Sequence, residues 1–108
     1  MWYRQGLSGL GDKIEFARIP EGCESSCHLF QIVVDRRDDL MLALNRAEIY
    51  PGVHYECNTN YPMYSYAKGT CPNADRIGKH VVSLPMNLYM MKEDVDRICE
   101  KIRMFLCD

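Results

Sequence analysis

The sequence lacks the features that mark several large classes of protein. None of its apolar runs approaches the roughly 20 residues that a membrane-spanning helix needs. Residues 1–13 lack the apolar segment of a secretory signal, and a net charge of −2 offers no basic surface for nucleic acid. No phosphate-cradling glycine loop, Ser-His-Asp arrangement or carboxylate pair is recognisable. We therefore expect a cytoplasmic protein that binds neither membrane nor nucleic acid, and we predict no catalytic residue from motifs.

Cysteine, in contrast, is abundant. The six cysteines are Cys23, Cys27, Cys57, Cys71, Cys99 and Cys107. An even number of cysteines in a short chain is typical of a disulfide framework or of a metal site. We expect reduced thiols, because no export signal is present and Cys99 lies on the apolar stripe of a predicted helix.

A metal site would need more ligands than the cysteine spacing supplies. Cys23, Cys27 and His28, joined by Cys57, could begin a zinc site. The spacing C-x3-C-H nevertheless lacks the second paired cluster of structural zinc sites. We expect no bound metal, and a cysteine-based metal protein stays open as an alternative.

The clearest helix lies at the end of the sequence. Its apolar positions are Val95, Ile98, Cys99, Ile102 and Leu106. Because they recur at i, i+3, i+4, i+7 and i+11, they form one apolar stripe, and charged residues fill the other faces. The pattern predicts a core-facing helix that begins near Met91 or Lys92.

Weaker patterns predict the rest of the chain. The first predicted elements are a helix end over residues 1–10, a connection over 11–26 with a short strand at Ile14 and Phe16, and a strand over 27–34. They are followed by a helix over 36–48 capped by Asp35, a short strand over 49–54 and a loop over 55–72. The last predicted elements are a helix over 74–80, capped by Asn73 with Ala74, Ile77 and Val81 inward, a strand over 82–85 and the closing helix.

Size and element order together predict the architecture. A chain of 108 residues with 47% hydrophobic and 26% charged content is sufficient for one small globular domain. We predict a single domain over residues 1–108, with its core in residues 27–106. Strands separated by single helices favour an α/β (α+β) fold, with helices packed on a small sheet.

Several short motifs follow one another in a definite order over residues 20–106. They are His28-Leu29-Phe30, Gly52-Val53-His54-Tyr55, Asn58, Tyr61-Pro62, Tyr64, Ser83-Leu84-Pro85 and the DVDRI segment that begins at Asp94. Each motif is short, and the order and spacing carry the information. In that order, the chain resembles the C-terminal small domain of the DegT/DnrJ/EryC1/StrS family of PLP-dependent sugar aminotransferases.

The resemblance implies both a fold and a binding site. It implies a small, mostly antiparallel sheet with helices packed on it, like the C-terminal domain of aspartate-aminotransferase-type PLP enzymes. Residues 1–10 would be the end of an interdomain helix. The predicted substrate-binding residues are His54, Tyr55, Asn58 and Tyr61, where the family's small domain approaches a nucleotide-linked sugar.

Two positions depart from the family pattern. Thr59 stands where many relatives carry a second histidine, and Glu56 stands where proline or a basic residue is common. A carboxylate at position 56 would repel a diphosphate unless it is neutralised.

From the residues alone, His54 could hydrogen-bond the loop instead of contacting a ligand. The tyrosines of residues 55–66 could likewise pack that loop onto the domain.

The resemblance also implies a missing part. In the family, the Schiff-base lysine and the contacts to the PLP phosphate lie in the large domain. The lysines of this chain are Lys13, Lys68, Lys79, Lys92 and Lys101. None stands in the family's lysine context, so we expect no PLP on the isolated chain and no transamination by it.

Three functions remain open at this point. The first is a stand-alone, non-catalytic module that self-associates as a homodimer through the apolar residues Trp2, Tyr3, Leu7 and Leu10. The second is one half of a split PLP-dependent sugar aminotransferase, completed in trans by a separate large-domain chain. The third is the cysteine-based metal protein.

Overall fold

Strand β2 (Phe30–Val33) is the centre of a three-stranded sheet in the computed structural model, which describes residues 1–108. β1 (Glu15–Phe16) and β3 (Val81–Leu84) pair with it on either side, and both pairings are antiparallel. The alternation of β2 buries Phe30 and Ile32 on one face and leaves Gln31 and Val33 half-buried on the other. The predicted fold class, a small antiparallel sheet with helices packed on it, is confirmed.

Four α-helices complete the domain. They are α1 (Trp2–Gly6), α2 (Arg37–Arg46), α3 (Pro72–His80) and α4 (Lys92–Cys107), and the 3-10 helices are Gly11–Lys13, Asn58–Asn60 and Pro62–Ala67. α4 packs against α1 and α2 and buries the four apolar positions Val95, Ile98, Cys99 and Ile102. The predicted stripe of the closing helix is therefore confirmed. No helix is both long and apolar enough to cross a bilayer.

The N-terminal segment is part of the core. Tyr3 is 1% exposed and Leu7 is 0% exposed, and Leu10 is buried beside them. The Tyr3 ring stacks on Phe30 with 5.0 Å between centroids, and its hydroxyl donates a 2.6 Å hydrogen bond to the carbonyl oxygen of Pro85. The prediction of an exposed contact surface is therefore wrong for Tyr3, Leu7 and Leu10, because these side chains fill the chain's own interior. Trp2, the fourth residue of that prediction, is exposed.

Several predicted boundaries are also wrong. β2 begins at Phe30 rather than at residue 27, because Cys27 has a φ of 52°, which interrupts extended backbone. Residues 49–54 form no strand beyond one isolated bridge between Gly52 and Ser83. Pro51 offers no N–H there for a continued ladder.

The predicted N-caps of two helices are also wrong. α3 begins at Pro72 rather than after Asn73, because proline is favoured in the first helical turn, where its missing N–H costs nothing. Ala74 is consequently exposed rather than inward. Arg36, not Asp35, occupies the N-cap position of α2. The start of α4 at Lys92 is as predicted, and the Asp94 carboxylate accepts a 2.8 Å hydrogen bond from the N–H of Met91.

Candidate functional site

The predicted site residue His54 lies beside the sheet. The bridge between Gly52 and Ser83 uses two backbone hydrogen bonds, of 2.9 and 2.8 Å, and this carries residues 52–54 along β3. The Nδ1 atom of His54 consequently lies 2.8 Å from the Oγ atom of Ser83, a side chain that is 4% exposed. The tertiary structure thus holds the imidazole at one of its two nitrogens.

Gln31 completes the hydrogen bonding around His54. Its Nε2 atom donates to the carbonyl oxygen of His54 and, over 3.3 Å, to the Oγ atom of Ser83. Neither Gln31 nor Ser83 was predicted from the sequence as a site residue. One signal was available, because a polar side chain inside an apolar strand needs a hydrogen-bond partner when it is buried.

Gly52 leaves the space that the imidazole occupies. A Cβ atom at this position would lie 2.9 Å from the Cε1 atom of His54, closer than such atoms approach in folded proteins. The glycine of the G-x-H-Y motif is therefore explained by the position of the histidine ring. Any larger residue would push that ring away from Ser83.

The other predicted site residues are exposed. Tyr55 is 73% exposed, and its ring meets the imidazole of His54 edge-on at 5.2 Å. Asn58 and Tyr61 lie at either end of the 3-10 helix Asn58–Asn60, and Tyr61 is 47% exposed. The structure therefore brings His54 and Tyr55 together ring to ring, with Asn58 and Tyr61 farther along the same segment.

The tyrosine-rich loop turns its rings outward. The exposed fractions of Tyr64 and Tyr66 are 39% and 83%. The interpretation in which these tyrosines pack the loop onto the domain is therefore not supported. Aromatic faces that remain open to solvent are suited to stacking on a sugar or a base.

Buried residues at the base of the loop attach it to α3. The Cys57 Sγ atom lies 3.1 Å from the Thr59 Oγ1 atom, which donates over 3.4 Å to Asp75. Gly78 of α3 allows the closest approach, since a Cβ atom there would lie 2.9 Å from the backbone nitrogen of Cys57. Thr59 therefore links the base of the loop to α3.

The side chain of Glu56 is hydrogen-bonded to an amide and forms no ion pair, so no cation neutralises its charge. Its carboxylate is exposed and accepts a 3.3 Å hydrogen bond from the side-chain amide of Asn60. An amide donor leaves the negative charge in place. The negative charge of Glu56 therefore remains next to Tyr55, and its repulsion of a diphosphate stays a prediction.

The cysteines do not converge on a metal site. All six are unpaired, and Cys57 is buried against Thr59 whereas Cys23 is exposed. No three His, Cys, Asp or Glu side chains lie close enough together to hold a metal ion. Cys23 and Cys27 instead line a groove of about 410 Å³, together with Gln31 of the His54 network.

None of the five lysines is suited to form an imine with PLP. Such a lysine must give up its proton, which a desolvated pocket favours. Lys13, Lys68, Lys79 and Lys92 are exposed, and Lys101 is half-buried on α4. Lys92 donates a 2.8 Å hydrogen bond to Asp96, which raises the pKa of its ammonium group. The residues of this chain therefore do not fit PLP by themselves.

Comparison with known proteins gives a consistent picture. The model of the DegT/DnrJ/EryC1/StrS aminotransferase family matches residues 1–103. A UDP-N-acetyl-3-dehydro-alpha-D-glucosamine 3-aminotransferase from Acidithiobacillus ferrooxidans is 30% identical over 104 residues, which cover 94% of this chain and 28% of that protein.

Solved structures show the same likeness. DesV of S. venezuelae, solved in complex with a ketimine intermediate, matches with a TM-score of 0.88 and 26% identity over 96% of this chain and 29% of its own. A DegT DnrJ EryC1 StrS aminotransferase from Brucella abortus matches with a TM-score of 0.82 and 25% identity, over 99% of this chain and 30% of its own. The chain therefore spans less than a third of the length of these relatives.

Proposed function

Because this chain belongs to the DegT/DnrJ/EryC1/StrS aminotransferase family, we propose that it acts as the small domain of a sugar aminotransferase and contacts a nucleotide-linked sugar. The contacts are made by His54, Tyr55, Asn58 and Tyr61. The observation that carries the proposal is the extent of the match, which covers residues 1–103 here but only about 28% of the curated relative. The surface described above supports it, because an imidazole held in place adjoins exposed aromatic rings.

In this proposal the chain is non-catalytic when it is alone. PLP would supply the electron sink for transamination, and no lysine here is desolvated enough to anchor it. The chain binds and orients the sugar, and it self-associates in the absence of another partner. Six unpaired cysteines are in keeping with the reducing cytoplasm, where we place it.

An alternative function is one half of a split aminotransferase. The chain spans 28–30% of its relatives, and an apolar groove of about 330 Å³ lies between the N-terminus and the segment that follows β3. A separately encoded cofactor domain could cover this groove and supply the lysine. Activity that appears only when both chains are mixed would favour this alternative over the stand-alone module.

The first test is a ligand titration followed by NMR. Isotope-labelled chain is titrated with UDP-N-acetylglucosamine and with dTDP-glucose, and PLP serves as the control compound. We expect saturable backbone shifts at residues 52–55 and 61–66, which His54→Ala weakens and His28→Ala leaves unchanged. Either no saturable shift at millimolar nucleotide sugar, or shifts only at other residues, would contradict the proposal.

A second test addresses the cofactor. The isolated chain is incubated with PLP, reduced with borohydride and digested for mass spectrometry. We expect low, distributed labelling of the five lysines, because none is desolvated. Stoichiometric labelling of one lysine would show that the chain anchors the cofactor by itself.

A further inference from the structure

The hydrogen bonds around His54 have a defined direction. The carbonyl oxygen of His54 can only accept, so the group of Gln31 that faces it must be the amide nitrogen rather than the amide oxygen. That nitrogen carries two hydrogens. The second is directed to the Oγ atom of Ser83, 3.3 Å away. Ser83 therefore accepts a hydrogen bond from Gln31.

Ser83 must place its own hydrogen elsewhere. Its side chain is buried, and a buried hydroxyl that donates to nothing costs about 1–3 kcal/mol. The acceptor within reach is the Nδ1 atom of His54, at 2.8 Å. Ser83 satisfies both its roles only when it donates to Nδ1, which requires that Nδ1 carries no hydrogen.

The other ring nitrogen is left without a partner in the chain. The Nε2 atom of His54 has no hydrogen bond to the chain, and no buried side-chain nitrogen or oxygen lacks a partner. Nε2 is therefore not fully buried, and it lies on the same segment as the exposed ring of Tyr55. In the neutral imidazole, the hydrogen that Nδ1 does not carry belongs to Nε2.

We propose that Ser83 and Gln31 are positioning residues that keep neutral His54 in the Nε2–H form, as a donor to an acceptor oxygen of the bound nucleotide sugar. The choice of ligand rests on the proposed function, whereas the tautomer does not. Such an acceptor is a phosphate, carbonyl or hydroxyl oxygen. A side chain that can only accept hydrogen bonds, such as an unprotonated carboxylate at position 54, could not replace the imidazole.

The tautomer can be read without any ligand. Long-range nitrogen–proton correlation spectra of labelled chain, recorded on the alkaline side of neutral, distinguish Nδ1–H from Nε2–H imidazoles. We expect a single Nε2–H form for His54. A His54 signal from the Nδ1–H form, or an even mixture of both, would overturn the proposal whatever the chain binds.

Variants test whether Ser83 and Gln31 set that form. Ser83→Ala removes the donor and keeps the backbone bridge to Gly52, and we expect a mixture of tautomers in place of one. Gln31→Leu removes the donor to Ser83, so a smaller shift towards the mixture is expected. Ser83→Thr retains the hydroxyl and should restore the single form. If the spectra of Ser83→Ala and Gln31→Leu both match those of the unaltered chain, the assignment is overturned.

Titration with UDP-N-acetylglucosamine tests whether the Nε2–H group of His54 donates to the ligand. We expect its addition to shift the Nε2–H resonance of His54, and Ser83→Ala to weaken binding about fivefold, the loss expected for one poorly held hydrogen bond. Saturable binding that leaves the imidazole unmoved would overturn the donor role while the proposed function stands. The Nε2–H form without any binding would uphold the positioning role and contradict the proposed function.

Discussion

At the scale of single residues, two opposing effects meet at Gly78. Glycine in a helix interior is about 1 kcal/mol less favourable than alanine, so helix propensity predicts that alanine would stabilise α3. The structure predicts the reverse, because a Cβ atom would lie 2.9 Å from the backbone nitrogen of Cys57 and 3.4 Å from the carbonyl oxygen of Tyr55. Backbone atoms cannot move aside as the end of a side chain can. The close approach should therefore outweigh propensity.

We accordingly expect Gly78→Ala to destabilise the protein by about 1–3 kcal/mol. Urea unfolding of the variant and of the unaltered chain measures the difference in the free energy of unfolding. Lys79→Ala, at the next and exposed position of α3, is the control and should change stability by less than about 0.5 kcal/mol. A stabilised Gly78→Ala variant would show that α3 does not touch the backbone of Cys57.

The Tyr3 phenol links stability to alkaline pH. Burial, with smaller contributions from Cys99 and Asp94, raises the pKa of Tyr3 well above its usual value. The phenol therefore ionises near pH 10 in the unfolded chain and at higher pH in the folded one. The contribution of the neutral Tyr3 phenol to the free energy of unfolding is complete below about pH 10. It decreases as the pH rises from there towards the pKa of Tyr3 in the folded state, at up to about 1.4 kcal/mol per pH unit.

Tyr3→Phe tests this linkage. The variant should be about 1 kcal/mol less stable at neutral pH, because it loses the hydrogen bond to Pro85. It should also lose stability less steeply above pH 10, as judged from urea unfolding at several alkaline pH values. Tyr66→Phe, at a tyrosine that is 83% exposed, should retain the original slope. Equal slopes for Tyr3→Phe and the unaltered chain would exclude Tyr3 as the titrating group.

At the scale of elements, the C-terminal helix α4 is hydrogen-bonded to the N-terminal segment. Arg103 of α4 donates to the carbonyl oxygen of Gly6 over 2.8 Å and to that of Ser8. The planar guanidinium can serve both carbonyls at once, whereas a lysine ammonium on a flexible stem is less well oriented for two fixed acceptors. These bonds satisfy carbonyl groups at the end of α1, as helix termini require.

Arg103→Ala should therefore lower the free energy of unfolding by about 1.5–3 kcal/mol, the range for hydrogen bonds made by a charged group. Arg103→Lys should recover only part of this loss. Lys101→Ala, on the same helix, is the matched control. Hydrogen exchange should increase first in residues 2–10 of Arg103→Ala, and uniform exchange throughout the chain would contradict a local role.

At the scale of the whole molecule, the two most exposed large apolar side chains follow β3, whereas only Trp2 of the four predicted N-terminal contact residues is exposed, at 46%. Leu88 is 100% exposed and Tyr89 is 92% exposed, whereas Tyr3 and Leu7 are buried. The segment between β3 and α4 also supplies Met86 and Met90 to the apolar groove near the N-terminus. The proposed self-association should therefore use this segment rather than Tyr3, Leu7 and Leu10.

Sedimentation equilibrium tests that proposal. We expect a concentration-dependent dimer, weakened at least about tenfold by the double variant Leu88→Asp, Tyr89→Ser, because charge and lost apolar area both oppose burial. Leu42→Asp, at a residue that is 55% exposed on α2, is the control and should leave the dimer intact. A monomer at every concentration would contradict self-association and favour a different partner.

Features that depend on local patterns could be predicted from the amino-acid sequence. The spacing of apolar residues predicted α4, because a helix brings positions three and four apart onto one face. The apolar, β-branched run predicted β2, and the ordered motifs identified the family. His54 and Tyr55 were predicted as site residues from the motif alone, and their binding role stays a prediction.

Contacts between residues far apart in the chain could not be predicted, because they depend on how the elements pack. Gln31 contacts His54 and Ser83, which lie 23 and 52 positions farther along the chain, and His54 and Ser83 are 29 positions apart. No local sequence pattern could therefore reveal this network. The burial of Tyr3 likewise depends on Phe30 and Pro85, which come from separate elements. Periodicity shows which face of an element is apolar, but only the packing of the elements determines what covers that face.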